Sequence, residues 1–479
     1  MFLDADTCYR ALRSHDTRFD GRFFVGVRTT RVYCRPVCTA RVPLRENCRY
    51  FPSAAAAESQ GFRPCLRCRP ELAPGFAAVD ANRRLAQSAA SLIEDGRLAD
   101  ARLPDLASTL GVTDRHLRRV FQEEFGVAPV EYAQTQRLLL AKRLLTDTRM
   151  PVIDVAMSSG FASLRRFNDL FRRRYRMTPG ELRRASRADV ADRFAFDLAY
   201  RPPYDWDAML AFLAKRAVAG VEAVDGRSYV RSIRVERQGK TFTGDIAVSP
   251  SKRRAALRVV VGASLAPALP TVLARVKHLF DLGCHPEEIA HALGPLAKKH
   301  PGLRLPGAID GFEIAVRAIL GQQVTVQAAT TIAGRFAAAF GEAIETPHRA
   351  VTTLFPTAER VAALDSKEVA AHGIIAARAR AIVELARAIA KGRLDLDPSS
   401  PVESTVAALE SLPGVGPWTA QYIAMRALAW PDAFPHPDVA VIKAMKESKP
   451  AAALAASETW RPWRAYAVLH LWKSLEASK

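Results

Sequence analysis

Leu412-Pro413-Gly414-Val415-Gly416 confines its surroundings more than any other stretch of the 479 residues. Two glycines bracket Val415, and a residue without a Cβ admits backbone conformations and close approaches that others cannot. Apolar residues at helical spacing precede the turn (Val406, Leu409, Leu412) and follow it (Ala420, Ile423, Ala424, Ala427). The stretch therefore reads as a tight hairpin between two helices. Backbone N–H groups at such a turn, opening a helix, form a phosphate cradle that is blind to base sequence. A plain helix–helix corner is the other reading of the hairpin taken alone. After a Pro-rich loop over Trp430–Pro437, Asp438 opens a further helical run through Val439, Val441 and Ile442. Aspartate is also a favoured N-cap at such a position.

A chain of this length exceeds one hydrophobic core, so three or four domains are expected. Lys and Arg number 69 against 49 Asp and Glu, a formal charge of +20. That surplus points to a polyanionic partner, double-stranded DNA before a membrane surface. No apolar run of about 18 residues appears, and no signal peptide opens the chain. The expectation is a cytoplasmic monomer with no membrane partner. Of seven cysteines, four form the pairs Cys34-x3-Cys38 and Cys65-x2-Cys68. In a reducing compartment such pairs read as metal ligands, and four thiolates close a tetrahedral Zn²⁺ site. By spacing alone, the site is a structural ribbon or a reactive centre. Cys8 and Cys48 fall outside the pairs and read as packing residues.

The sequence around the pairs, Phe24–Cys38 and Gly61–Cys68, resembles the methyl-acceptor domain of Ada-type adaptive-response regulators. The resemblance implies that Cys34 takes a methyl group irreversibly from a DNA methylphosphotriester. Zinc keeps the thiol deprotonated, and a thiolate is the nucleophile. Methylation would move a four-thiolate site from about −2 to about −1 in charge, favouring contact with phosphates. Arg31, Arg35, Arg41, Arg45 and Arg49 either reinforce that contact or form a solvated face. A Pro-Cys-His-Arg motif, the mark of an O6-methylguanine acceptor, does not occur.

Residues 80–187 are basic and helical by period. Leu106–Phe121 contains a turn at Gly111 and an N-cap candidate at Thr113, the pattern of a helix-turn-helix. A second unit follows at Val152–Phe167. Gly160-Phe161-x-Ser163 and Thr178-Pro179-Gly180 make the pair resemble the AraC-type DNA-binding domain. The resemblance implies recognition helices near 114–121 and 163–171. It places Arg115, Arg118, Arg165 and Arg166 against DNA, and it makes RNA polymerase an expected partner.

A linker is expected over 188–200, after which the character changes. Stretches at 194–198, 228–235, 241–246 and 256–261 alternate or are β-branched, as strands do, with helical runs at 205–219 and 267–283. The hairpin together with Asp438 resembles the helix-hairpin-helix/Gly-Pro-Asp superfamily of base-excision DNA glycosylases. Arg201–Trp206, Leu305–Gly307, Val316–Val324 and Pro462–Trp472 resemble the AlkA-type 3-methyladenine glycosylases. The resemblance implies that Asp438 is the catalytic carboxylate, facing a base flipped out of the duplex. It makes Trp418, Tyr422 and Trp472 the base pocket, with Trp206 extending the wall. Their faces attract an alkylated, cationic base. Gln323 takes the position of the leucine-type wedge, and Gly414 and Gly416 the phosphate grip. Carbonyls of Glu410, Leu412 and Val415 would hold a monovalent cation, Na⁺ or K⁺. Trp418 stands where bifunctional relatives carry a Schiff-base lysine, so base excision without strand cleavage is implied.

The expected architecture is multidomain, mainly α with α+β parts. A small four-cysteine zinc domain spans 1–78 and a helical domain with two helix-turn-helix units spans 80–187. An antiparallel-sheet α+β subdomain spans 193–300 and an all-α helix-hairpin-helix glycosylase domain spans 301–479. The expected function is an alkylation-damage response: a sensor and transcription regulator fused to a monofunctional glycosylase. The alternative is a regulator whose glycosylase half binds DNA without catalysis.

Overall fold

The computed structural model describes residues 4–16, 19–70, 73, 81–94, 103–184, 193–237 and 239–476. The domain edges expected at 78–80 and 187–192 lie outside them. Among the described residues, no helix is long and apolar enough to cross a membrane.

Four short strands carry the cysteines: β1 (Phe24–Val27), β2 (Val32–Cys34), β3 (Cys48–Phe51) and β4 (Arg63–Pro64), in the order β3-β1-β2-β4. β1 and β2 form an antiparallel hairpin, while β4 runs parallel to β2 with Tyr33 opposite Pro64. The ends of these two parallel strands thus deliver Cys34 and Cys65 side by side. Helix α1 (Ala54–Ser59) packs its alanines against the sheet, sharing a core with Phe24, Phe51 and Phe62.

That core continues into the next helices: α2 (Ala81–Glu94), α3 (Leu103–Thr109), α4 (Asp114–Phe125) and the long α5 (Pro129–Asp147). α3 and α4 are the first helix-turn-helix. The second is α6 (Val152–Ser158) followed by α7 (Leu164–Tyr175). Thr113 caps α4 by accepting the His116 N–H, and Ser163 caps α7 by accepting that of Arg166. Both expected recognition helices are present and run about one turn further than their sequence patterns.

The third unit is an antiparallel sheet, β5 (Arg193–Ala199), β6 (Glu222–Asp225), β7 (Ser228–Arg237), β8 (Lys240–Pro250) and β9 (Ala256–Gly262), ordered β5-β9-β8-β7-β6. The linker expected over 188–200 is corrected from Arg193 onward. There the chain is already an edge strand, seven residues in register with β9. Helices α8 (Trp206–Ala214) and α9 (Leu269–Leu279) cover the sheet. The core of this lobe is continuous with Leu138, Leu144 and Leu145 of α5 and with Phe167 and Phe171 of the second helix-turn-helix.

The last unit is helical apart from a short antiparallel ribbon, Glu342–Ala343 against Thr353–Leu354, which corrects the all-α expectation over 301–479 in that detail. It uses α10 (Gly311–Leu320), α11 (Val326–Phe340), α12 (Ala376–Ala390), α13 (Val402–Glu410), α14 (Pro417–Arg426), α15 (Val439–Met445) and α16 (Arg464–Glu476). A buried charge network joins it to the sheet lobe. Arg231 donates to Glu313 at 2.6 Å, and Arg317 donates to both Glu222 and Glu313 at 2.8 Å. Two cations and two anions balance there, which is what permits the burial of Arg231, Glu222 and Glu313.

Candidate functional site

The hairpin Leu412–Gly416 turns between α13 and α14 as its sequence requires. Val415 N–H closes the turn onto the Leu412 carbonyl at 3.1 Å. Gly414 sits at φ +82°, and a Cβ there would meet Ala381 Cβ at 3.0 Å. Its lack of a side chain is therefore conformational. Gly416 differs: its backbone is extended (φ −95°, ψ 178°), with open space where a Cβ would stand. Unusual backbone geometry explains the first glycine and not the second.

Twenty-two residues after Gly416, Asp438 caps α15, accepting the Val441 N–H on Oδ1 at 3.0 Å. Two indoles also address this carboxylate. Trp418 Nε1 donates to Oδ2 at 2.8 Å and Trp472 Nε1 to Oδ1 at 3.3 Å. Trp418 lies in the first turn of α14, Trp472 near the end of α16 and Asp438 at the start of α15, so three helix ends converge. Tyr422, one turn after Trp418, stacks on it with ring centroids 5.2 Å apart and planes at 12°. Trp472 faces Tyr422 more openly, at 6.4 Å and 43°. All four side chains are half-buried, so the pocket opens to solvent.

The structure brings Trp418, Tyr422, Trp472 and Asp438 together. It takes Trp206 elsewhere: that indole is buried in the sheet lobe against Phe280 at 5.5 Å, with Nε1 donating to the Arg227 carbonyl. The wall expected from Trp206 is corrected accordingly. Phe212, six residues along the same helix, shares Arg426 with the pocket's Tyr422. The Arg426 guanidinium lies 5.1 Å from its ring and 5.7 Å from that of Tyr422. Arg426 Nη1 donates to the Tyr422 hydroxyl at 2.8 Å, and Arg426 is itself anchored on the carbonyls of Pro306 and Gly307. Burial pushes the Tyr422 phenol up, but the charges of Arg426, Arg216 and Arg317 outweigh it and hold the phenol below its usual value. Sequence reading missed Arg216, Phe212 and Arg426. Their only signal was α-helical spacing: Phe212 and Arg216 are one turn apart, as are Tyr422 and Arg426.

Gln323 is exposed at the tip of the loop between α10 and α11, with φ +53°. Arg115 and Arg118 are exposed on α4, and Arg165 and Arg166 on α7. Arg118 spends part of its charge on Asp114, at 3.6 Å.

The second centre is the cysteine cluster. Sγ atoms of Cys34, Cys38, Cys65 and Cys68 all lie within 4.8 Å of one another. Thiolates about 2.3 Å from a tetrahedral zinc stand about 3.8 Å apart, so the set fits that ion. Shared hydrogen bonds among the thiols push Cys34 well up and Cys65 well down. Four thiolates this close need a cation among them. Cys34 and Cys68 are half-buried, while Cys38 and Cys65 are buried. Arg35 braces the cluster: its backbone N–H donates to Cys68 Sγ at 3.3 Å, and its buried guanidinium pairs with Asp20. Of the five arginines considered for phosphate contact, Arg35 is thereby engaged in holding the site.

Four family models match successive parts of the chain. They are the metal binding domain of Ada over 7–71, a helix-turn-helix domain over 106–185, the AlkA N-terminal domain over 195–310 and the HhH-GPD superfamily base excision DNA repair protein over 316–461. A Mycobacterium tuberculosis protein named "Probable bifunctional transcriptional activator/DNA repair enzyme AlkA" is 39% identical over 99% of this chain and 97% of its own length. DNA-3-methyladenine glycosylase 2 of Escherichia coli is 39% identical over 58% of this chain and 96% of its own. Among solved structures, a 3-methyladenine DNA glycosylase from Archaeoglobus fulgidus aligns at TM-score 0.49 and 20% identity, covering 58% of this chain and 97% of that one.

Proposed function

The chain belongs to the AlkA family of bifunctional transcriptional activators and DNA repair enzymes, and from that premise we propose that Asp438 hydrolyses the N-glycosidic bond of alkylated bases flipped out of DNA. One observation carries this reading: the Asp438 carboxylate is held by two indole N–H groups that belong to the walls of the aromatic pocket. The groups that receive the base thereby orient the carboxylate toward its sugar.

The base enters on the open side, between Tyr422 and Trp472, since Trp418 and Tyr422 are already stacked on each other. Electron-rich ring faces favour a cationic 3-methyladenine-type base. Such a base leaves neutral with the bonding pair, so no proton donor is required. Asp438 stabilises the positive charge that develops at C1′ and orients the water that adds there. Trp418 occupies the position of a Schiff-base lysine, so the DNA strand stays intact. Gln323 fills the space the base vacates, and the N–H groups at Gly414 and Gly416 grip the backbone phosphate. The carbonyls of Glu410, Leu412 and Val415 would hold a monovalent cation at that grip.

In the regulator half, Cys34, Cys38, Cys65 and Cys68 would hold zinc, which would keep them as thiolates. Cys34 Sγ attacks the methyl carbon of a methylphosphotriester; the C–O bond breaks and the phosphodiester departs as an anion. The two helix-turn-helix units present Arg115, Arg118, Arg165 and Arg166 to promoter DNA, where RNA polymerase is the partner.

The test is release of 3-methyladenine from methylated duplex DNA by the wild type and by Asp438→Asn. The expected result is release by the wild type, a loss of about 10²-fold or more in the variant and abasic strands unbroken until alkali. DNA binding without release by the wild type would reduce this half to a DNA grip.

A further inference from the structure

The loop between α10 and α11 holds a residue that the mechanism has not used. Gln322 precedes the exposed Gln323, and its side chain turns back into the protein. Gln322 Nε2 donates to the Gly414 carbonyl at 2.8 Å and to Thr419 Oγ1 at 2.9 Å. A carbonyl only accepts, so the orientation of this amide is fixed by its partner. The two bonds reach 92 and 97 residues along the chain. Gly414 is the left-handed residue of the hairpin, and Thr419 follows Trp418 in the pocket helix. A third tie comes from Arg378 on α12, whose guanidinium donates to the Gln322 backbone carbonyl. α12 also carries Ala381, the residue against which Gly414 packs.

Gln323 itself occupies the left-handed region at φ +53°. A non-glycine residue stays in that conformation only where its surroundings impose it. Here the residue before it is pinned at both side chain and backbone. Its own side chain is exposed, and so are Val324 and Val326 after it.

We propose that Gln322 is a positioning residue: it ties the loop that enters the duplex to the hairpin that grips the backbone and to the helix that builds the base pocket. This rests on the reading of Gln323 as the inserted side chain. Gripping the phosphate and displacing the base then become one movement of one rigid unit. Gln322 touches neither the base nor the sugar; it acts through Gln323, Gly414 and Trp418. Its contribution belongs to base extrusion and not to bond cleavage.

The distinction is measurable with the full-length protein at saturating enzyme. One duplex carries a single 7-methylguanine opposite cytosine, and a second carries it unpaired in a bulge, where extrusion costs little. Gln322→Leu keeps the bulk of the side chain and removes both of its hydrogen bonds. The expected result is base release slowed about tenfold or more from the paired site, as loss of two hydrogen bonds implies, with release from the bulge within about threefold of wild type. Equal loss on both substrates, or no loss on either, overturns the proposal. Arg378→Leu removes the third tie and leaves the amide in place; it should show the same selectivity and decides the matter if Gln322→Leu does not fold. Gln323→Gly separates the premise: if it releases the paired base as fast as wild type, the inserted-loop reading fails and this inference falls with it. Failure of the wild type to release either base would sink the glycosylase reading itself.

Discussion

The Asp438 carboxylate accepts three hydrogen bonds. As N-cap of α15 it accepts a backbone N–H, and that bond fixes the carboxylate between two tryptophans. Trp418→Phe keeps a ring in the pocket and removes the shorter of the two indole bonds. A charge-assisted hydrogen bond contributes about 1.5–3 kcal/mol, so single-turnover base release should slow by roughly 10- to 100-fold with DNA affinity unchanged. An unaltered rate would show that the carboxylate needs no indole to hold it. The cysteine cluster is braced in a similar way, by the Arg35 backbone N–H on Cys68 Sγ.

At the scale of elements, the two hairpin glycines separate by cause. Gly414→Ala places a Cβ at positive φ and against Ala381, so it should cost about 1–2 kcal/mol of stability and weaken DNA binding as well. Gly416→Ala meets no strain and no neighbour; thermal unfolding should stay near wild type, and any effect should appear only in DNA affinity. A second element junction should respond to pH. Glu58, at the end of α1, is fully buried, accepting from Tyr33 and Thr135, while Arg174 of α7 donates to its carbonyl. Burial pushes its carboxyl up to about 7, against the opposing effect of its donors and of Arg174 and Lys142. The folded state therefore favours the proton. This contribution is present below the unfolded value near 4.5 and is lost as pH rises through about 7. Thermal unfolding at pH 5 and pH 8 should show the wild type losing more stability than Glu58→Gln over that interval. Parallel losses would show that Glu58 does not titrate there.

At the scale of the whole molecule, the regulator and the sheet lobe share a core and do not hang as separate beads. Arg143 of α5 is buried with its guanidinium 4.4 Å from the Phe196 ring, and it donates to the Asp197 carbonyl at 3.1 Å. Lys277 of α9 pairs with Glu94 of α2 at 3.1 Å, a second bridge between the halves. Arg143→Met should leave both halves folded while splitting a joint denaturant transition into two. One unchanged transition would locate the coupling in the apolar core alone.

The sequence by itself determined the local chemistry. Cysteine spacing, helical periods, N-caps and turn glycines are written over a few residues, and backbone sterics read them the same way in most contexts. Four of the five strands of the sheet, both helix-turn-helix units, the hairpin and the thiolate set were legible on that basis, and the resemblances placed Asp438 among its aromatics. Tertiary structure decided what sits beside what across long separations. Trp206 and Phe212 share a helix but lie six residues apart, so they project to different sides; the sheet core claimed the indole and Phe212 was left beside Arg426. Arg193–Ala199 looked partly like a linker because pairing with β9 lies in no local pattern. Gln322 could not be told from its neighbour Gln323 until folding brought Gly414 within reach of one amide and left the other facing outward. Contacts such as these depend on where whole helices dock, and docking is set by the summed burial of many side chains.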